Sequence, residues 1–204
     1  MSENEGGGNR DMTNKRGEET RQLIKKSACS LFAGKGFKQV TMKDICEAAN
    51  LSRGGLYCHY GSTREIFREI INDFMIQQGD SFSEKIEHQL SAKEILNEVL
   101  EKYKNEMLDS QSSLSLALYE YFSIDNTETG NELCAQYTAS FNAWQTLLEY
   151  GIKNGEFHHV DIKSVFDLII FSYQGVRMYS KIMPIDEDIP QRIIDQIKKI
   201  IVKE

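Results

Sequence analysis

The chain has little proline and no long hydrophobic run. Only two of its 204 residues are proline, both after residue 183, so nearly all of it is free of the strongest helix breaker. Asp167 interrupts the most apolar stretch, and no segment offers the roughly 20 apolar residues of a membrane span. No alternating runs typical of β-strands occur. We therefore expect an all-helical protein with no membrane span and no signal peptide.

Cysteine is also scarce, with four residues at positions 29, 46, 58 and 134. No CxxC or other clustered spacing occurs among them, so no zinc site and no disulfide framework are predicted. This usage favours a reducing, cytoplasmic location. A redox or metal role for Cys58 beside His59 is the weaker alternative, because two adjacent ligands make no site. We expect no cofactor. Since no nucleophile–base pair or phosphate loop is evident either, we expect no enzyme.

Negative charge predominates, with a net charge of −7, but its distribution is uneven. Residues 14–64 contain ten basic and four acidic residues and so carry +6, which leaves −13 for the rest of the chain. A basic module on an acidic body is typical of a protein that orients itself on DNA.

The stretch 41–60 has the pattern of two short helices around a tight turn. An apolar stripe at Met42, Ile45, Cys46 and Ala49 has helical spacing. Thr41 with Asp44 at N3 forms a weakened capping box, since Asp is shorter than Glu. The next residue, Asn50, suits a left-handed helix end. Ser52 then caps a second helix, which predicts a helix-turn-helix whose second helix enters the DNA major groove.

Two glycines, Gly54 and Gly55, stand near the start of this second helix. They cost helix stability but bring the backbone close to a phosphate or base edge. The alternative is that they form only a ragged turn.

These residues resemble the DNA-binding domain of the TetR family of bacterial transcriptional regulators. The resemblance covers about the first third of the chain. It rests on Asp44-Ile45, Ala48-Ala49, Ser52-Arg53-Gly54-Gly55-Leu56-Tyr57, His59-Tyr60, Ser62 and Glu65-Ile66, and earlier on Ile24, Ala28, Leu31-Phe32 and Gly36-Phe37. It implies a three-helix DNA-binding domain followed by a larger helical bundle that binds a ligand and forms a homodimer.

The resemblance also implies which residues touch DNA. One position departs from the family pattern, because Thr63 stands where a lysine often binds phosphate, and Arg64 is the neighbouring substitute. The first helix of the helix-turn-helix would bind the DNA backbone. The start of the second helix would contact bases, with Arg53 on guanine, and Tyr57 and His59 would bind phosphates. The candidate DNA-binding residues are Thr41, Lys43, Ser52, Arg53, Gly54, Gly55, Tyr57, Cys58, His59, Thr63 and Arg64.

We expect a disordered tail over residues 1–13, a DNA-binding domain over 14–62 and a ligand-binding and dimerisation domain over 63–204. The first helix is predicted from about Glu18 to Gly34, and a helix capped by Ser62 and Glu65 runs to about Gly79. Further helices are predicted at about 92–110, 114–124, 131–154, 161–183 and 189–202.

The second domain is rich in aromatic and thioether side chains. One interpretation is that they are ordinary core residues. The other is that they line a ligand cavity, because buried tyrosine hydroxyls need hydrogen-bond partners. Together with the −13 charge, they predict an amphipathic or cationic effector. The candidate ligand-binding residues are Tyr103, Met107, Tyr119, Phe122, Trp144 and Tyr173.

The last two helices carry a second signal, apolar stripes around Gly175 and along Ile193, Ile197, Ile200 and Ile201. They form a dimer interface or cover the monomer's own core. The sequence thus predicts a homodimeric repressor released from a palindromic double-stranded operator by a small molecule. The alternative is an architectural DNA-binding protein without a ligand.

Overall fold

The computed structural model describes residues 7–79, 81–124 and 128–204. Within these ranges every regular element is an α-helix, apart from one isolated antiparallel bridge between Phe157 and Val202, which confirms the expected all-helical class. None of the described helices is long and apolar enough to cross a membrane. The helices are α1 (Gly7–Lys35), α2 (Met42–Ala49), α3 (Arg53–Tyr57), α4 (Thr63–Gly79), α5 (Ser81–Glu87), α6 (Ala92–Leu108), α7 (Ser115–Ile124), α8 (Glu128–Lys153), α9 (Ile162–Tyr179) and α10 (Asp188–Ile201).

Helix α1 begins at Gly7, earlier than the predicted start near Glu18, so residues 7–13 of the predicted tail are helical. Residues 1–6 lie outside the described residues. Once a helix is nucleated, each further residue adds one hydrogen bond at little cost, which allows the packed part of α1 to extend outward. The helix ends as predicted, because Gly36 adopts a left-handed φ of 79° and its N–H donates to the Phe32 carbonyl at 2.9 Å.

A first buried core joins α1, α2, α3 and the front half of α4. Ile24, Ala28 and Phe32 of α1 are fully buried there, as are Leu56 of α3 and Phe67 of α4. Helix α7 also belongs to this core, through Leu114 just before it and through Ala117 and Tyr121. Contacts therefore cross the boundary predicted at residue 63, since α4 and α7 both pack into the DNA-binding module.

A second buried core is built from α5, α6, α8, α9 and α10. In this core the Trp144 ring of α8 contacts two other rings, with centroid distances of 5.5 Å to Phe82 and 6.1 Å to Tyr103. Phe82 belongs to α5, which the sequence analysis does not predict. The burial of Phe82 against Trp144 explains this helix, because a tertiary contact overrides the weak local signal of a seven-residue segment.

Helix α9 ends at Tyr179, not near residue 183 as predicted. Pro184 disfavours helical backbone at the residue before it, and the chain turns after Ser180. The turn brings Lys181 next to α1. Its ammonium donates to the Ala33 carbonyl at 2.9 Å and to the Ser110 carbonyl. One side chain thus joins the ends of α1, α6 and α9.

Candidate nucleic-acid interface

Helix α2 is held by local hydrogen bonds at both ends. The Thr41 hydroxyl accepts from the Asp44 N–H at 3.2 Å, and the Asp44 carboxylate accepts from the Thr41 N–H at 2.8 Å. The hydrogen bonds from Thr41, joined by Lys35 at 3.3 Å, lower the pKa of Asp44 to about 2. At the other end Asn50 has a φ of 51°. The capping box and left-handed end are confirmed, and they position α2 against the turn.

Helix α3 follows after three residues and is short. The Ser52 hydroxyl accepts from the Gly55 N–H at 3.1 Å and so satisfies one of the free amides at the helix start. Leu56 is fully buried and Tyr60 is 3% exposed, so these two side chains hold α3 against the first core. The opposite face is therefore presented outward in a fixed orientation.

Most of the residues that the sequence assigns to DNA are exposed on this face of α3 or at the start of α2. The Arg53 guanidinium lies 5.9 Å from the Tyr57 ring centroid, and Tyr57 is 45% exposed. Gly55, His59, Thr63 and Arg64 are half-buried, while the exposed candidates are Thr41, Lys43, Ser52, Arg53, Gly54, Tyr57 and Cys58. Exposed donors on two adjacent helices form a surface able to bind phosphates and base edges.

The two glycines of α3 differ in their surroundings. A Cβ at Gly54 would meet nothing within 4 Å, whereas one at Gly55 would lie 3.2 Å from the Ser52 hydroxyl. Gly55 is therefore explained by the cap itself. The packing of the chain gives no reason for glycine at Gly54.

His59 lies deeper and lines a surface cleft of about 300 Å³ between α1 and α4 with Arg21, Tyr60 and Arg68. Beside this cleft, Arg21 forms an ion pair with Glu69, and the buried Lys25 lies 3.1 Å from Glu69. Burial disfavours the Glu69 carboxylate, but the hydrogen bonds from Arg21 and Lys25 outweigh it and lower its pKa. These pairs lock α1 to α4.

The start of α4 differs in detail from the prediction. The Ser62 hydroxyl accepts from the Glu65 N–H at 3.2 Å as expected, but the Glu65 carboxylate accepts from the Gly61 N–H at 2.7 Å, one residue before the cap. The Arg64 guanidinium lies 5.4 Å from the Tyr121 ring centroid. Arg64 therefore contacts α7, and the structure gives Thr63 and Arg64 different surroundings.

Four of the six candidate ligand-binding residues come together in the second core, namely Tyr103, Met107, Trp144 and Tyr173, all at most 7% exposed. The rings of Tyr103 and Tyr173 stack with centroids 4.2 Å apart. The other two lie elsewhere. Tyr119 is 63% exposed on α7, and Phe122 packs against the first core.

A polar group that sequence analysis missed lies beside these aromatic rings. The Tyr173 hydroxyl donates to the Glu106 carboxylate and accepts from an Arg177 Nη at 2.7 Å. Burial raises the pKa of Tyr173, with Glu106 adding to the rise against Arg177. The signal in the sequence was a charged residue four positions after Tyr173 on a largely apolar helix. Among the described residues, no three His, Cys, Asp or Glu side chains converge in a metal-binding arrangement.

Helix α9 also carries an exposed apolar strip on its other side. Leu168 is 46% exposed, Phe171 65% and Tyr179 57%, with Gly175 among them. On α10, Ile194 and Ile197 are buried in the monomer, whereas Ile200 is 41% exposed. The predicted stripes of the last two helices thus divide between the chain's own core and its surface.

Known proteins with similar sequences are regulators that carry a helix-turn-helix. The model of the family described as bacterial regulatory proteins, tetR family, matches residues 24–70. The chain is 32% identical over 139 residues, 67% of each chain, to the HTH-type transcriptional regulator YfiR of Bacillus subtilis (strain 168). It is 29% identical over 159 residues, 76% of each chain, to the HTH-type transcriptional repressor KstR2 of Rhodococcus jostii (strain RHA1).

Solved structures agree on the fold. A transcriptional regulator from Saccharomonospora viridis, solved in complex with choline, superposes with a TM-score of 0.74 over 92% of this chain and 100% of its own. The sequences are 18% identical, so the likeness concerns the arrangement of helices and does not extend to the ligand.

Proposed function

The chain belongs to the TetR family of bacterial regulatory proteins, and we propose that it is a transcriptional repressor that a small molecule releases from a palindromic operator. Its relatives are transcriptional regulators, and one of them is named a repressor. A single observation carries the proposal for this chain. The start of α3 presents Ser52, Arg53 and Gly54 outward, while Leu56 fixes the helix from inside.

The roles of the DNA-binding residues follow from their positions. Arg53 has a planar guanidinium that can pair with the two acceptors of a guanine edge. Tyr57 and Lys43 lie farther along the exposed surface and bind phosphates, which position the protein without reading sequence. His59 binds phosphate from the rim of its cleft. Gly54 lets the backbone of α3 approach the groove, and Thr41 and Thr63 flank it.

The effector is an amphipathic molecule held in the second core. Support comes from the buried group of Tyr103, Met107, Trp144 and Tyr173, which offers aromatic surface next to polar atoms. Two observations favour a cationic head group. One is the negative net charge of the body, and the other is the choline bound by the Saccharomonospora viridis protein.

Two copies associate through the exposed strip of α9 and the end of α10. Leu168, Phe171 and Tyr179 supply apolar surface, and Gly175 permits close approach of a second helix. A two-fold dimer carries two copies of α3, so its operator has two inverted half-sites about 34–36 Å apart or a multiple of a helical turn.

Selection of bound sequences from random DNA duplexes tests the proposal. We expect one palindrome to emerge and to bind at least about 10³ times more tightly than random DNA at the same salt concentration. Footprinting should then protect two half-sites on one face of the duplex. Equal binding of all duplexes would instead favour an architectural protein that coats or bends DNA.

A further inference from the structure

The polar group inside the second core contains one donor that the protein does not use. The Arg177 Nε–H is buried and finds no acceptor among the described residues. The same guanidinium lies 5.0 Å from the Tyr173 ring centroid and donates through Nη to the Tyr173 hydroxyl at 2.7 Å. Buried donors nearly always have a partner, and those of a charged group need one most.

The Glu106 and Asp109 carboxylates already have partners. Glu106 accepts from the Tyr173 hydroxyl and lies 4.0 Å from the Lys102 ammonium. Asp109 accepts from the Ser112 N–H at 3.1 Å. Lys181 lies one turn beyond Arg177, and its ammonium donates to the Ala33 and Ser110 carbonyls. Among the described residues, the Arg177 guanidinium donates only to a neutral hydroxyl, so no carboxylate balances its charge by direct pairing.

Tyr173 connects this guanidinium to further aromatic side chains of the second core. Its ring lies 5.0 Å from the Arg177 guanidinium and stacks on that of Tyr103, whose ring centroid lies 6.1 Å from that of Trp144. Met107 is buried in the same core. These side chains offer a ligand apolar surface next to one positively charged donor.

We propose that the effector is an apolar molecule with an acidic head group whose oxygen accepts from the Arg177 Nε–H. This rests on the proposed function and names the class of its ligand. A cation is disfavoured at this position because the guanidinium repels it, while the nearby Glu106 carboxylate is already bonded. The negative charge of the whole body acts at longer range and is screened by salt.

The test compares three probes with the same tail, namely decanoate, decan-1-ol and decylammonium. Trp144 is the only tryptophan of the chain, so its fluorescence follows binding in the second core without any DNA present. We expect decanoate to bind at least about tenfold more tightly than either other probe, because a charge-assisted hydrogen bond forms only with the acid.

Arg177→Met should abolish this preference, since Met keeps much of the side-chain length but has neither charge nor donor. Arg177→Lys should keep part of it. Arg192→Met is the matched control, because Arg192 lies exposed on α10, 3.9 Å from Asp188, and should leave the ranking unchanged. If Arg177→Met does not fold, the ranking in the native protein and in Arg177→Lys decides.

Equal binding of the three probes, preference for decylammonium, or no saturable binding of decanoate would overturn the proposal. A preference that persists in folded Arg177→Met would overturn it as well. The proposed function fails separately, because it requires a palindrome to be selected by the native protein. Decanoate that binds through Arg177 but does not release the palindrome would support the ligand class and refute induction.

Discussion

Gly54 stands at the exposed start of α3, where the packing of the chain leaves room for a side chain. Gly54→Ala adds a methyl group into open space and should stabilise the fold by about 0.4–1 kcal/mol, because alanine restricts the unfolded chain. We expect it to weaken operator binding by roughly tenfold or more, about 1.4 kcal/mol. Thermal unfolding and operator titration measure the two effects.

Gly34→Ala is the control for this substitution, since Gly34 also lies in a helix with nothing near its Cβ position. It should gain stability and keep operator binding. Undiminished binding by Gly54→Ala would show that α3 does not come close to the groove at this point.

Arg53 and Tyr57 share one face of α3 and should still act differently. Arg53→Ala should reduce discrimination between the selected palindrome and random DNA by about 1–3 kcal/mol, because it removes a base contact. Tyr57→Phe should weaken binding to both by a similar factor, because phosphate contacts carry no sequence information. Titrations of both variants against both duplexes provide the measurement. Equal loss on both duplexes in Arg53→Ala would make Arg53 a phosphate contact.

Among the secondary-structure elements, α2 depends on its cap. The hydrogen bonds from Thr41 and the nearby Lys35 lower the pKa of Asp44 to about 2. Because this folded pKa is below the unfolded value, the cap's contribution is present above about pH 4 and is lost as pH falls toward 2. In an NMR titration, Thr41→Ala should raise the pKa of Asp44, and Lys43→Met should not. An unchanged pKa in Thr41→Ala would mean that the cap does not stabilise the carboxylate.

The elements α1, α6 and α9 meet at Lys181. Its ammonium satisfies carbonyls at the ends of α1 and α6, where a cation also complements the helix dipole. We expect Lys181→Met to lower the free energy of unfolding by about 1–2 kcal/mol and to speed amide exchange in the last turn of α1. Denaturant unfolding and hydrogen exchange measure these changes.

Lys199→Met, on the exposed side of α10, should change neither quantity. If exchange in α1 stays as slow in Lys181→Met as in the native protein, the contact does not connect the two halves of the chain.

The elements also show which features can be read from sequence. The caps at Thr41, Asn50 and Ser52 depend on residues within four positions, so the helix-turn-helix could be predicted. The placement of Tyr121 against Phe37 and Phe67, at 5.1 and 5.2 Å between centroids, joins distant segments that no periodicity connects. The polar group around Arg177 was missed for the same reason, since Glu106 lies on another helix.

Whole-molecule behaviour rests on how the two cores are joined. Helix α7 packs Tyr121 into the first core, and the Glu120 carboxylate accepts from the Lys38 N–H at 2.9 Å. Arg64 adds its contact to the Tyr121 ring. Since α9 packs against α7, a shift of α9 around a bound effector can reach α1 and α4 through α7. By linkage, the effector must weaken operator binding by the same factor as the operator weakens effector binding.

If a dimer holds two α3 helices at a fixed spacing, such a shift would change operator affinity by changing that spacing. Phe171→Asp places a charge in the exposed strip of α9, where Phe171 is 65% exposed, and should give a monomer in sedimentation analysis. Binding to the palindrome should fall by about 10² to 10⁴, because the second half-site no longer gains from the first.

Tyr119→Asp, at a position 63% exposed on α7, should remain dimeric and bind normally. A Phe171→Asp protein that stays dimeric would place the interface elsewhere. One that becomes a monomer and still binds the palindrome at full strength would mean that the spacing of two α3 helices does not set affinity.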